Sequence, residues 1–389
     1  MPTTTQPLLR FVVLYALLYG AFGVASPFLP ALSEAHGLHA AQLGVVLAAG
    51  MAVRMLSSTF AGRIGDRAHA LRRVLAVCAV AAALIALAYL PARGLVPLLV
   101  VTLLHGAMLA PLPVLADALS LEAAKAARGF EYGWVRGTGS LAFVGGTLLA
   151  GQLIGGFNLD VIVMLQAPLL LAVAIGASFV PEASPLRTQH LGRAPGVRAL
   201  VGNSQFRRVI AVAALVGGSH ALHDAFAVII WTRAGVAPGA ASLLWSESVI
   251  SEVLVFFVVG PALLMRFPPG HVLVLAALAG VLRWAIAGHT TAVSALAAIQ
   301  PLHGFTFSLL HLACMRLLAR IVPAGLEGRA QAIYGTVAIG GTTALLTLIS
   351  GVLFVQLDIH AFWCMAALCL VAMVPAARVR DARGPTVRN

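Results

Sequence analysis

Residues 160–180 read DVIVMLQAPLLLAVAIGASFV, so that after Asp160 the chain runs to Val180 without a charged side chain. About 20 apolar residues, rising about 1.5 Å each, cross the hydrocarbon of a bilayer as a helix. The rest of the chain repeats this pattern. It has 389 residues, 60% hydrophobic and 10% charged, with a mean hydropathy of +0.97. Soluble domains carry about 25% charged residues, and a soluble fold of this length would lack the polar residues to cover its surface. A soluble enzyme, a disordered chain and a secreted disulfide scaffold are thereby excluded. The four cysteines, Cys78, Cys314, Cys364 and Cys369, lie in apolar runs without metal or disulfide spacing. The formal charge of +12 does not point to nucleic acid, because the basic residues form no stripe and instead punctuate apolar segments.

Breaks at charges, Pro and Gly divide the chain into twelve candidate spans. Spans 1 to 6 cover 8–32, 41–62, 73–90, 95–119, 135–157 and 160–180. Spans 7 to 12 cover 208–232, 240–265, 270–288, 292–319, 330–354 and 358–376. The fold class expected is an all-α polytopic membrane protein of twelve transmembrane helices. The first run carries Pro27 and Pro30 and precedes eleven more, so it reads as a first span and not as a removable leader.

With the N-terminus in the cytoplasm, 21 of the 25 Lys and Arg residues fall in cytoplasmic segments. Arg93 and Arg233 fall outside, and Arg54 and Arg283 fall within spans. The positive-inside rule then sets both termini in the cytoplasm; the membrane expected is the inner (plasma) membrane. The longest polar stretch, Pro181–Arg207, separates six spans from six. The organisation expected is an N-terminal bundle over 1–181, a cytoplasmic linker over 182–207, a C-terminal bundle over 208–378 and a tail over 379–389. A faint repeat supports it: Tyr132-Gly133 with Gly139 recurs as Tyr334-Gly335 with Gly341, at an offset of 202.

After span 2 comes Gly62-Arg63-Ile64-Gly65-Asp66-Arg67-Ala68-His69-Ala70-Leu71-Arg72-Arg73. A Gly, an Asp-Arg pair and a basic cluster between spans 2 and 3 resemble the signature loop of the major facilitator superfamily. The usual Gly after the Asp-Arg pair is missing, and the counterpart Met265-Arg266-Phe267-Pro268-Pro269-Gly270 lacks the Asp. The resemblance implies two six-helix bundles with substrate bound between them, alternating access, and gating roles for Gly62, Asp66 and Arg67. Asp66 would cap a helix or pair with an arginine; the alternative is a basic loop that only sets topology.

A closer resemblance is to the phenylpropionate permease family, a proton-symporter branch of that superfamily. Tyr132-Gly133-Trp134-Val135-Arg136-Gly137-Thr138-Gly139-Ser140 looks like its span 5, and Leu282-Arg283-Trp284 like its span 9. Gln300-Pro301-Leu302-His303-Gly304-Phe305-Thr306-Phe307 with His311-Leu312-Ala313 looks like its span 10. Ser219-His220-Ala221 and Glu252 match it in spans 7 and 8.

Ionisable residues inside spans cost at least about 2.5–3.5 kcal/mol each at the bilayer centre, so each needs a partner, a wet cavity or a function. His220, Glu252 and His303 count to mid-bilayer, and Asp224 and Arg283 nearer the outside. Glu252 is the proton-coupling candidate, because a carboxyl in apolar surroundings can load and release a proton near neutral pH. Arg283 would tune it, and His303 titrates in the same range. Lactose permease, in the same superfamily, likewise carries a Glu, an Arg and a His on spans 8, 9 and 10, with a second carboxylate on span 10 that this chain lacks. The rival reading is a fixed Glu–Arg bridge. His220, His223 and Asp224 have a spacing that suits a transition metal, but no further ligand pair lines up. No metal or cofactor is expected. Instead His220 would line the cavity and Asp224 would pair with Arg283 at an outer gate.

In the first half, Tyr15, Tyr19 and Phe22 share a helix face that either stacks an aromatic substrate or packs in the bundle. His105 and His311 are further cavity contacts. Arg54 either anchors a carboxylate through its bidentate fork or pairs with Asp117; Arg136 is the other claimant on Asp117. The expectation is a monomeric secondary transporter moving a small organic, aromatic-type carboxylate with protons, with lipid as its surround. The alternatives are a proton-coupled drug or metabolite exporter, a membrane receptor, and an intramembrane enzyme.

Overall fold

The computed structural model describes residues 5–68, 70–126, 131–182 and 197–379; the side chains of 5, 6, 58, 59, 61–68 and 126 lie outside that description. Helix dominates these residues, and ten stretches are at least 18 residues long and apolar enough to cross a membrane. The expected third span is the helix Leu71–Leu87, 17 residues long. The expected eleventh and twelfth spans run through one stretch, Glu327–Ala377, that turns at Asp358–His360. Large apolar side chains such as Leu141 (75% exposed) and Met265 (78%) stand free on the surface. Large apolar side chains exposed in such number are normal against lipid.

The chain divides into two compact units, Met1–Thr188 with Ala225–Ser246, and Gln189–Asp224 with Glu247–Asn389. The first unit packs the helix Thr5–Ala25 along Tyr132–Gly156 at van der Waals limits. A Cβ on Gly146 would lie 2.5 Å from the Gly20 carbonyl oxygen, and one on Gly23 would strike the backbone of Phe143. Small residues at such crossings let backbones meet where no hydrophobic effect drives association. Behind them, Phe11, Leu14, Leu18, Leu75, Leu112 and Leu170 form a fully buried core. Pro27 and Pro30 end the first helix at Ala25 and open the short helix Leu29–Ala35.

At one end of this unit, His36 ties three turns together. Its Nδ1 accepts from Arg93 Nη1 (2.9 Å), its Nε2 pairs with Asp160 Oδ1 (3.1 Å), and its carbonyl accepts from Gly94 N (3.0 Å), where the backbone takes φ +73°. Segment Ala225–Ser246 joins the same unit for concrete reasons. Ser242 fills the space that a Cβ on Gly151 would take, and Arg233 Nη2 donates to Glu34 Oε1 (2.5 Å). The sequence reading places this segment in the C-terminal bundle over 208–378.

In each unit, arginine caps the C-terminal end of a helix. Arg10 donates to the Phe179 carbonyl (3.1 Å) and Arg72 to those of Ser178 and Val180 (both 3.3 Å), while in the second unit Arg208 donates to the Arg378 carbonyl (2.7 Å). A cation there satisfies orphan carbonyls and suits the helix dipole. The segment read as linker is partly helical: Val197–Gly202 is helix, and Asn203 caps Ser204–Gly218 by accepting from the amides of Gln205 (2.9 Å) and Phe206 (3.4 Å). The span 2 helix continues to Ala68, and the next helix begins after Ala70. Asp66 therefore lies within a helix; the side chains of Gly62, Asp66 and Arg67 lie outside the described residues.

Candidate functional site

The polar centre of the second unit sits where three of its helices lose regular geometry. The span 7 helix Ser204–Gly218 stops, turns through Ser219–His220 and resumes at Ala221. In span 8, the helix Pro238–Leu254 passes into a π-helical turn at Val255–Val259, just after Glu252. In span 10, Pro301 lacks an amide hydrogen and splits Val293–Ile299 from the turn Leu302–Gly304, which runs into a second π-helical turn at Phe305–Leu309. Ser251 repairs this break from span 8: its Oγ donates to the Pro301 carbonyl (2.5 Å) and accepts from Gly304 N (3.1 Å). The two helices nearly touch there, since a Cβ on Gly304 would lie 2.5 Å from Ser251 Oγ.

This architecture strings Arg283, His303 and Glu252 into one chain of hydrogen bonds. Arg283 Nη1 lies 2.6 Å from His303 Nδ1, and His303 Nε2 lies 2.6 Å from Glu252 Oε1. A guanidinium only donates. Nδ1 is therefore the acceptor, and a neutral ring carries its hydrogen on Nε2, donating it to the carboxylate; this tautomer is assigned from the bonding pattern. Arg283 is 1% exposed. Its Nη2 donates to Gln300 Oε1 (2.9 Å), and its guanidinium carbon stands 4.4 Å from the centroid of the Trp284 ring. Glu252 is the open end, with its side chain 26% exposed.

Around this chain, His220 meets Trp284 and His303 edge-on, with centroids 5.3 and 4.8 Å apart. Its Nε2 is buried with no hydrogen-bond partner among the described residues. Trp284 stacks on Phe362 (5.7 Å) and donates from Nε1 to Ser219 Oγ (2.8 Å). Among the described residues, no group of three His, Cys, Asp or Glu converges as metal ligands.

Three expected pairings are corrected. Asp224 does not reach Arg283 for a salt bridge; it pairs with the adjacent His223 (Nδ1 to Oδ1, 3.2 Å), because Arg283 lies over Trp284 towards the span 10 break. Asp117 pairs with neither arginine: its Oδ1 accepts from Tyr15 Oη (2.5 Å) and Tyr132 Oη (2.9 Å). Arg136 lies near the start of the helix Tyr132–Gly156, where it donates to Tyr19 Oη with its guanidinium carbon 4.9 Å from that ring's centroid. Tyr15 is wholly buried and also bonds Ser120 (2.9 Å), so it belongs to the core and offers no ring to a substrate. Tyr19 and Phe22 remain partly exposed beside it.

His105 is 2% exposed, meets Tyr89 edge-on at 5.5 Å and leaves Nε2 without a hydrogen-bond partner among the described residues. The stem of Arg54 passes over Gly106, where a Cβ would stand 3.2 Å from its Cγ. His311 is engaged with Tyr334 Oη (3.1 Å). Sequence reasoning missed Gln300, Ser248 and Trp284 as parts of the site. Gln300 and Trp284 stood inside the motifs quoted above, and Pro301 marked the helix break beside Gln300.

Stacked apolar helices with an arginine, a histidine and a carboxylate wired together inside them define a multi-pass membrane transporter. The chain belongs to the MFS_1 like family, whose model matches residues 8–365. It is 33% identical over 365 residues to the "Probable 3-phenylpropionic acid transporter" of Escherichia coli (strain K12), covering 92% of this chain and 94% of that protein. It is 27% identical over 379 residues to the "Maltose permease" of Geobacillus stearothermophilus, covering 96% and 95%. Among solved structures, the nucleoside transporter NupG superposes with a TM-score of 0.85 at 17% identity, over 97% of this chain and 99% of that one. The D-xylose-proton symporter gives 0.69 at 15% identity, over 95% and 97%. The fold is therefore that of the major facilitator transporters, and the protein carries a small molecule across a membrane; it is not an enzyme.

Proposed function

We propose that the protein is a proton symporter for a small aromatic carboxylate. The observation that carries this reading is the Arg283–His303–Glu252 chain, a carboxylate at the end of a buried hydrogen-bonded line. A proton on Glu252 neutralises the one member that faces out of the cluster, which lowers the cost of moving the site through an apolar barrier. Release of that proton restores the ionised pair. The substrate class rests on the relative named for 3-phenylpropionic acid. It rests also on the first unit's chemistry: Tyr19 and Phe22 as an aromatic face, and Arg54 with His105 as the carboxylate's binding groups. His220 and His311 supply further polar contacts. Arg283 donates its fork inward, so the carboxylate is assigned to Arg54.

Transport proceeds by alternating access, with Gly62, Asp66, Arg67, Asp117, Arg136 and Asp224 in the gating elements. The protein works as a monomer in an inner membrane with both termini cytoplasmic; the bias of basic residues supports that orientation. The test is uptake of radiolabelled 3-phenylpropionate into proteoliposomes, with and without an inward proton gradient, for the wild type and Glu252→Gln. Accumulation that needs both the gradient and Glu252 supports the reading. Equal entry in all four cases overturns the coupling role, and no entry in any overturns the substrate class and moves the exporter reading forward.

A further inference from the structure

Gln300 ends the helix before Pro301 and is 1% exposed. Its Oε1 accepts two hydrogen bonds, from Arg283 Nη2 (2.9 Å) and from Ser248 Oγ on span 8 (2.7 Å). The guanidinium is planar and rigid. Once Nη2 is held at Gln300, Nη1 is directed to His303 Nδ1, 2.6 Å away. Nδ1 can then only accept, so the ring hydrogen stands on Nε2 and points at Glu252 Oε1. A second proton on the ring would have to sit on Nδ1, facing a guanidinium N–H. Other titratable groups stand near the ring among the described residues. From span 7 come His220 (centroid 4.8 Å) and His223 (6.3 Å), the latter holding Asp224; from the last helix, the Cys369 thiol bonds Ser219 Oγ (3.3 Å).

We propose that Gln300, braced by Ser248, is a positioning residue that fixes His303 as the uncharged Nε2–H tautomer, so that Glu252 alone carries the transported proton. The incoming proton joins the carboxyl oxygen that His303 does not occupy and leaves from the same atom; no bond to hydrogen on His303 is broken. This deepens the coupling role assigned above and rests on it.

The test needs no transported substrate, only protons. Protein labelled with 15N in its histidine rings is reconstituted and its nitrogen spectrum recorded between about pH 5 and 8, with His303→Gln used to identify the His303 signals by difference. In the wild type, His303 is expected to show one protonated nitrogen, Nε2, across the whole range. In Gln300→Leu, signals of the Nδ1–H form and of the doubly protonated ring are expected to appear. Gln300→Glu, which keeps an acceptor for both Arg283 and Ser248, is expected to return the wild-type pattern. Ser248→Ala removes the brace and leaves Gln300 in place; it is expected to give a smaller share of the same new signals, which keeps the test decisive if Gln300→Leu fails to fold. A wild-type His303 that carries Nδ1–H or gains a second proton in this range overturns the proposal, as does a wild-type pattern in Gln300→Leu. Uptake indifferent to Glu252→Gln would remove the coupling reading and leave these spectra unchanged. Spectra indifferent to Gln300 would remove the positioning role and leave coupling intact.

Discussion

His303 Nε2 stands 2.6 Å from Glu252 Oε1, and the histidine's other nitrogen is taken by Arg283. Arginine and glutamate therefore act on one another through a ring, not by direct contact. The same arrangement recurs in the first unit, where His36 lies between Arg93 and Asp160. In both cases an arginine on Nδ1 fixes the hydrogen on the opposite nitrogen and directs it at a carboxylate.

Removing Arg283 leaves that line without its cation. Loss of one partner from a buried charge network costs about 3–5 kcal/mol, and the partly exposed Glu252 places this case at the lower end. Arg283→Ala is expected to lower the thermal unfolding midpoint clearly. Arg283→Lys is expected to fold better but to lose most gradient-driven uptake, since an ammonium cannot span Gln300 and His303 while lying on Trp284. Paired melting and uptake measurements check both.

Asp117 gathers Tyr15 and Tyr132, tying three helices of the first unit. Hydrogen bonds to a charged group are worth about 1.5–3 kcal/mol. Asp117→Ala is expected to cost about that much or more in stability, and Tyr15→Phe less, because Tyr132 keeps its bond. In a double-mutant cycle of Asp117→Ala with Tyr15→Phe, the two losses are expected not to add.

Glycine positions on the helix Tyr132–Gly156 divide by what lies opposite them. Gly146→Ala would drive a methyl into the Gly20 backbone, and an overpacked site costs about 1–3 kcal/mol. Gly145→Ala meets nothing within 4 Å and is expected to be neutral, or stabilising by up to about 1 kcal/mol. Melting curves of the two adjacent substitutions should diverge in these directions.

The membrane class and most span positions were legible because they depend on composition and run length, which packing does not alter. The grouping of Arg283, His303 and Glu252 was legible too, since a charge within an apolar run demands a partner. Which partner was not. Asp224 and Arg283 matched by depth, but the turn at Ser219–His220 and the break at Pro301 set how the side chains face one another. Counting 1.5 Å per residue along regular helices carries no such information. Asp117 was offered Arg54 or Arg136 as its partner, and there two tyrosine hydroxyls supply what a cation was expected to supply. Gln300 escaped notice because a neutral amide in an apolar run costs less than a charge and so raises no alarm.

The arginine caps give a smaller effect. Arg10→Ala leaves the end of Val161–Phe179 with Arg72 as its remaining cap, so its cost is expected to stay below about 1 kcal/mol. Arg10→Ala with Arg72→Ala is expected to exceed the sum of the single losses, because the last carbonyls then have neither arginine; thermal unfolding of the three variants decides this.

The central claim is that Glu252 carries a proton inward with each substrate. Proteoliposomes loaded with a pH-sensitive dye, at equal pH on both faces, should acidify when 3-phenylpropionate is added outside, faster than protein-free vesicles, which register the acid's own leak. Glu252→Gln should match the protein-free rate while still exchanging labelled for unlabelled substrate. Acidification by Glu252→Gln at the wild-type rate, or wild-type substrate entry without acidification beyond the leak, would contradict the account.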